Sequence, residues 1–167
     1  MQQLFFVIFV RVSEVFSQTE VGGNFGWRQK QKKMNENIKP VITEVGLIYG
    51  REAIFLDKVN FINEETFELL GEFSGSLCEN LNDNDDVEFK IVFRNVHLFK
   101  MIELDFDEVE YKSSFDEIEN SIQLNKMFEI DNQNNIKKID KTYKYYIFRT
   151  YDTIFEIIGK DYNLEIN

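Results

Sequence analysis

The stretch that decides the fold is Val87-Glu88-Phe89-Lys90-Ile91-Val92-Phe93-Arg94. Apolar and charged side chains alternate along it with a period of two, which predicts a β-strand with one buried face and one solvent-facing side. The apolar phase then shifts to Val96 and Leu98, and a shift of one residue turns every side chain to the opposite face. We therefore expect a turn or bulge near Arg94-Asn95, between two long strands that are antiparallel if they pair directly.

Shorter stretches with strand-like patterns lie on both sides of this segment. Turn-forming residues mark the ends of these stretches. The boundary before residue 67 has an alternative, because Asn63-Glu64-Glu65-Thr66 could cap a short helix. The predicted strand segments are 41–60, read as a hairpin that turns at Gly50-Arg51, then 67–73, 143–147, 154–158 and 162–166.

One short helix is predicted near residues 114–123. Ser114-Phe115-Asp116-Glu117 has the form of a capping box, and apolar residues follow it at helical spacing up to Ile122. Residues 131–135 are polar and are expected in a loop. The sequence therefore predicts a mainly β fold, an antiparallel sandwich or half-barrel with one helix. An α+β arrangement with the helix on one face is the alternative.

The charge of the chain changes sign at Met34. Residues 1–33 carry five basic and two acidic side chains, a net charge of +3, whereas residues 34–167 carry 14 basic and 28 acidic side chains, a net charge of −14. We expect residues 34–167 to form a single acidic β-rich domain. Residues 1–33 are an extension that is loosely attached or not native. Three interpretations of this extension are open. Residues 4–12 form a β-strand, or they are a poor secretory signal, or translation begins at Met34 and residues 1–33 are not part of the protein.

Composition argues against several classes of function. The acidic balance disfavours binding to nucleic acid or to an anionic membrane, and it favours a basic protein partner. The apolar run from Leu4 to Val10 is too short to span a membrane. Cys78 is the only cysteine, so no disulfide within the chain is expected and the interpretation is a cytoplasmic protein.

Catalytic and metal chemistry have little support in the sequence, and an enzyme is disfavoured. A zinc site lacks ligands, because the chain has one histidine, His97, and one cysteine. The sequence also contains no glycine-rich phosphate-binding loop. Asp83-Asn84-Asp85-Asp86 resembles the start of a calcium loop, but Glu88 stands where an EF-hand needs glycine and Arg94 where it needs glutamate. We predict no catalytic residue, no cofactor and no metal.

Two groups of residues are candidate contacts with a partner. One group is acidic: alternate residues of a predicted strand, about 6.6–6.8 Å apart on one face, together with the acidic loop before Val87. The other group is aromatic and lies near Arg149. Alternation places Tyr143, Tyr145 and Ile147 on one face, which is read as core, so Tyr146 and Tyr151 are the better candidates for exposure. The acidic strand could instead be a solvent face or an edge protected by charge. The candidates are Asp83, Asp85, Asp86, Glu103, Asp105, Asp107, Tyr146 and Tyr151.

In size, acidity and β-rich aromatic composition, residues 34–167 are similar to small bacterial proteins, among them immunity proteins that neutralise toxins. No motif accompanies this resemblance, so it implies no site residue. The leading hypothesis is a non-catalytic acidic binding protein, either immunity-like or another protein-interaction domain. The alternatives are a carboxylate-dependent hydrolase or carbohydrate-active domain, and a carrier of a small apolar ligand whose cavity is lined by Phe and Tyr.

Overall fold

The structure is a computed structural model that describes residues 8–9, 36–82, 85–104, 111–136 and 138–167. It is mainly β and antiparallel, as the sequence predicts, and its two sheets do not close into a barrel. The elements are β1 (Ile8–Phe9), β2 (Asn37–Pro40), β3 (Ile54–Asn63), β4 (Thr66–Phe73), β5 (Val87–Arg94), β6 (Leu98–Glu103), β7 (Phe115–Glu119), α1 (Ile122–Gln133), β8 (Lys144–Arg149), β9 (Thr153–Gly159) and β10 (Asp161–Ile166).

One sheet has six strands in the order β1-β6-β9-β8-β7-β2, and the other has four in the order β10-β5-β4-β3. All strand pairs are antiparallel except that β1 runs parallel to β6. Ile8 and Phe9 of β1 are the only part of residues 1–33 that the structure describes, so the prediction about the rest of this extension lies outside the described residues.

The apolar core lies between the two sheets and is largely aromatic. Phe73 stacks on Phe89 with ring centroids 4.3 Å apart, and Phe67 stacks on Phe93 at 5.2 Å. The six-stranded sheet contributes residues such as Phe148, whose ring meets that of Phe89. Because each buried Phe contributes about 1.5–3 kcal/mol, this layer is a large part of the stability. The alternation predicted for 87–94 is confirmed, since its aromatic residues face this core.

The chain passes between the sheets twice at one corner. At Asn95, whose φ of 52° is left-handed, it leaves β5 and enters β6, and at Lys160 it leaves β9 and enters β10. The amide of Lys160 donates to the Arg94 carbonyl at 3.2 Å, and that of His97 donates to the Ile158 carbonyl at 2.9 Å. The predicted turn is thus confirmed. The two strands that it separates do not pair with each other, because they belong to different sheets.

The helix does not lie where the sequence predicts it. The segment that predicts a helix start forms β7, and α1 begins at Ile122 with Ser121 as its N-cap, whose hydroxyl accepts from the Leu124 amide at 3.2 Å. Ser114 and Glu117, the two polar residues of the predicted capping box, do not cap a helix. The Ser114 hydroxyl donates to a backbone carbonyl, and the Glu117 carboxylate forms an ion pair with Lys144 on the neighbouring strand. Tertiary partners therefore use the polar groups that a capping box would have used.

Helix α1 covers the outer face of the six-stranded sheet. Leu124 and Met127 pack there against a second apolar cluster that includes Tyr145. The loop predicted at 131–135 begins instead as the last turn of α1. Asp131 is buried there, and its carboxylate accepts the two backbone amides of residues 138 and 139 at 3.1 and 3.3 Å. The result is three layers: the helix, the six-stranded sheet and the four-stranded sheet.

The hairpin predicted over 41–60 is also corrected. Residues 41–50 form only isolated bridges, and Gly50, with φ of 74°, leads into a 3₁₀ turn at Arg51–Ala53. The hairpin is formed by β3 and β4, with Glu64-Glu65 as its two-residue loop and the Glu65 amide bonded to the Asn63 side chain at 2.9 Å. The alternative of a helix cap at 63–66 is therefore wrong.

Candidate functional site

The outer face of the four-stranded sheet carries rows of side chains that cross the strands. In one row Phe55 of β3 lies opposite Glu72 of β4, and Glu72 lies opposite Glu88 of β5. Residues directly opposite in an antiparallel pair have Cβ atoms about 4.5–5.5 Å apart, so these three side chains are neighbours. The row lies at the end of the sheet where β3 and β5 begin and β4 ends.

Six of the eleven acidic side chains on the described strands form an ion pair with a basic residue on an adjacent strand. One is the buried pair of Asp116 with Arg149, and the others are Lys90–Glu165 at 2.6 Å, Lys100–Glu156 and Lys144–Glu117 at 2.7 Å, Arg94–Asp161 at 3.4 Å and Lys39–Glu119 at 3.5 Å. Glu72 and Glu88 are among the remaining five, and they are the two that lie directly opposite each other. Both are exposed, they face each other, and neither forms an ion pair with any residue that the structure describes. Like charges in this position destabilise a sheet.

An exposed aromatic pair borders this acidic row. Phe55 and Tyr151 are 42% and 39% exposed, and their rings stack with centroids 5.5 Å apart. The Arg51 guanidinium lies 5.4 Å from the Tyr151 ring centroid and donates through Nε to the Tyr151 carbonyl at 3.0 Å. The Tyr151 amide donates to the Ile54 carbonyl at 2.8 Å, which fixes the turn after β8 against the start of β3. We call Phe55, Tyr151, Glu72 and Glu88 the acid–aromatic patch.

A bulge in β3 and a glycine in β4 set the position of Phe55. The pairing of β3 with β4 shifts between Leu56 and Lys58, which leaves Asp57 as the extra residue. At this shift the two backbones come so close that a Cβ on Gly71 would lie 2.0 Å from the Phe55 carbonyl oxygen. Only glycine fits there, and the close approach holds Phe55 beside Glu72.

The three predicted acidic residues that the structure describes lie at the ends of strands in two different sheets. Asp85 and Asp86 are exposed just before β5, at the same end of the sheet as Glu88. The Asp86 carboxylate accepts the Gly75 amide at 3.1 Å, and that of Asp85 accepts from the Asn82 side chain at 2.9 Å. Glu103 is exposed at the end of β6, in the other sheet. Asp83, Asp105 and Asp107 lie outside the described residues.

Of the two tyrosines predicted to be exposed contacts, only Tyr151 lies at the surface. Tyr146 is 3% exposed, which corrects the prediction. Alternation along the strand predicts that β8 has one buried and one exposed face. In the structure β8 lies inside a sheet that is covered on both faces. Tyr146 packs between the sheets, with its ring centroid 5.9 Å from that of Phe93. Burial raises the pKa of its phenol.

Phe55, Glu72 and Glu88 were not identified from the sequence. Glu72 and Glu88 occupy the polar phase of two correctly predicted strands, so their outward direction is readable from the sequence. Their pairing depends on the register of β4 against β5, and the place of Phe55 depends on the bulge in β3. No local pattern encodes either of these.

A buried ion pair lies on the other sheet. Arg149 and Asp116 are each 2% exposed and bonded to each other, and the Arg149 guanidinium also donates to the Ser113 carbonyl at 3.2 Å. The ring of Tyr111 covers it, with 4.5 Å between the guanidinium carbon and the ring centroid. Charges this deeply buried persist because they are paired, so we assign this cluster a structural role.

His97 contacts Tyr143, whereas Cys78 packs in the core between the two sheets. His97 Nε2 lies 2.9 Å from the Tyr143 hydroxyl, and burial, with help from Glu65, raises the pKa of Tyr143 to about 12, so the phenol is neutral at physiological pH. Burial, with a smaller contribution from Asp86, raises the pKa of the Cys78 thiol to about 11. A thiol of this kind is a poor nucleophile at neutral pH.

Among the described side chains, no group of three or more His, Cys, Asp and Glu is placed to hold a metal ion. Within the described ranges, no helix is both long enough and apolar enough to cross a bilayer. Comparisons with family models, with curated proteins and with solved structures give no match to this chain.

Proposed function

We propose that this chain is a non-catalytic protein-binding domain that contacts a basic partner through the acid–aromatic patch. The observation that carries the proposal is the exposed Phe55–Tyr151 stack beside two facing carboxylates that form no ion pair with a described residue. Stacked aromatic side chains offer a large and rigid contact area, and such residues dominate the binding energy of protein interfaces.

The charge arrangement suits a partner of opposite sign. In the free chain Glu72 and Glu88 repel each other, and a cation placed between them would turn a destabilising pair into a stabilising one. The net charge of −11 would also accelerate the approach of a basic protein. An immunity-like role against a basic toxin in the bacterial cytoplasm is one form of this proposal.

The two alternative functions receive less support from the described residues. Glu72 and Glu88 lie on an open sheet face in contact with water, whereas paired catalytic carboxylates need environments that drive their pKa values apart. The aromatic residues that would line the cavity of a carrier instead stack on one another between the sheets, as Phe73 does on Phe89.

The test is affinity capture from a lysate of the native host with the full chain immobilised. Three forms are compared: the native chain, a Phe55→Ser/Tyr151→Ser variant, and an Ile122→Ser/Ile130→Ser control that removes two somewhat more exposed apolar side chains from α1. Captured proteins are identified by mass spectrometry. We expect a protein with a basic surface that the native chain and the control retain and that the patch variant loses.

Retention of the same proteins by the patch variant would refute the proposal. If only the α1 control fails to capture these proteins, the interface lies on the helix face and not on the acid–aromatic patch. Circular dichroism of all three forms shows whether each variant is folded, so that a loss of capture can be assigned to the altered surface.

A further inference from the structure

We infer that the acid–aromatic patch recognises an arginine side chain of the partner, with the guanidinium stacked on Phe55 and bonded to Glu72 and Glu88. This inference rests on the proposed function and specifies the chemistry of its partner. Three features of the outer face of the four-stranded sheet support it.

The first feature is that this sheet face has no covering layer. The equivalent face of the six-stranded sheet is covered by α1, whereas no described residue forms a layer over the outer face of β10-β5-β4-β3. An approaching side chain therefore has direct access to the row formed by Phe55, Glu72 and Glu88. Elsewhere on this face, Glu165 and Asp161 are already neutralised by Lys90 and Arg94.

The second feature is the number and placement of acceptors. Glu72 and Glu88 lie on adjacent strands, so together they present four carboxylate oxygens over a short distance. A guanidinium has five N–H donors in a planar fork and can bond both carboxylates at once. An ammonium is a compact point charge on a flexible stem, which neutralises the pair but does not match its geometry.

The third feature is the flat aromatic surface at the end of the row. Phe55 lies directly opposite Glu72, so a planar cation held by the carboxylates would lie against the exposed ring. The chain already makes one such contact here, because the Arg51 guanidinium lies over the ring of Tyr151. Stacking of this kind favours arginine over lysine and is worth about a two- to fivefold change in affinity at an exposed site.

The test uses the full chain and three labelled probes: peptides of six Arg-Ser repeats, of six Lys-Ser repeats, and of six citrulline-Ser repeats, in which the guanidinium is replaced by a neutral group of the same shape. Affinity is measured by fluorescence anisotropy at about 50 mM salt. We expect the Arg-Ser peptide to bind about two- to fivefold more tightly than the Lys-Ser peptide, and the citrulline peptide not to bind.

Two double variants with the same net charge distinguish binding at the acid–aromatic patch from general attraction to an acidic protein. Glu72→Gln/Glu88→Gln should weaken Arg-Ser binding about tenfold. Glu68→Gln/Glu165→Gln, which removes two acids from the same face, should change it less than twofold because these acids already bond Asn60 and Lys90. Phe55→Leu should bring the two affinities to equality by weakening the Arg-Ser peptide more than the Lys-Ser peptide.

Equal binding of the Arg-Ser and Lys-Ser peptides to the native chain would overturn the inference, as would equal weakening by both double variants. These outcomes are distinguishable from failure of the proposed function. If the Phe55→Ser/Tyr151→Ser variant still loses a basic partner from the lysate, the patch is an interface and only the choice of arginine is wrong.

Discussion

If Glu72 and Glu88 serve partner binding and not stability, removing the repulsion between their carboxylates should make the free protein more stable. Glu88→Lys places an ammonium directly opposite Glu72 and replaces a repulsive cross-strand pair by an attractive one. Such pairs contribute about 0.2–1 kcal/mol, so we expect a gain of about 0.5–1 kcal/mol at low salt. For a chain of this length, that gain corresponds to a Tm about 1–4 °C higher.

The assay is urea unfolding followed by circular dichroism at low salt and at about 1 M salt. At the higher concentration the Debye length is about 3 Å, so interactions between surface charges are screened. The matched control is Glu165→Lys on the same sheet face, which makes the same change in net charge but breaks the ion pair with Lys90. We expect Glu88→Lys to raise the urea midpoint at low salt, Glu165→Lys to lower it, and both differences to shrink at high salt. A lowered midpoint for Glu88→Lys, or a gain of equal size for Glu165→Lys, would refute the reasoning.

Three further predictions concern the scaffold. Gly71→Ala should destabilise the protein by about 3 kcal/mol in urea unfolding, because the new Cβ would meet the Phe55 carbonyl; a loss below 1 kcal/mol would contradict the close approach. Cys78 should react with a neutral alkylating reagent about a hundredfold more slowly at pH 8 than its ordinary pKa of 9.0 implies. Its rate should rise with pH up to about 11, and a plateau near 9 would disprove this. Arg149→Met should cost about 3–5 kcal/mol by leaving Asp116 unpaired, and adding Asp116→Leu should recover much of that loss; a double variant no more stable than the single one would show that the pair is not coupled.

The strands were predictable where one local pattern determined them. The alternation of 87–94 identified β5, and the shift of phase after Arg94 located the corner where the chain changes sheets. The apolar run of 154–158 likewise lies within β9. The burial of one face gives 87–94 its period of two, whereas 154–158 is a nearly continuous apolar run because both faces of β9 are buried.

The errors arose where tertiary contacts used the same residues differently. Asp116 has the helix-start pattern, but in the fold it neutralises Arg149, which is distant in sequence, and the segment becomes a strand. Tyr146 was expected outside because alternation alone does not show that β8 is covered on both faces. The acid–aromatic patch was missed because three strands and a bulge at Asp57 bring it together.

The proposed interface lies on the acid–aromatic patch, and residue-level mapping of a bound partner shows whether it does. Isotope-labelled full chain is titrated with the basic protein recovered by affinity capture, and amide chemical shifts are followed by NMR. We predict that the largest changes fall at Phe55, Glu72, Glu88 and Tyr151 and that α1 is little affected. Changes concentrated on α1, or on the His97–Tyr143 side of the six-stranded sheet, would contradict the account.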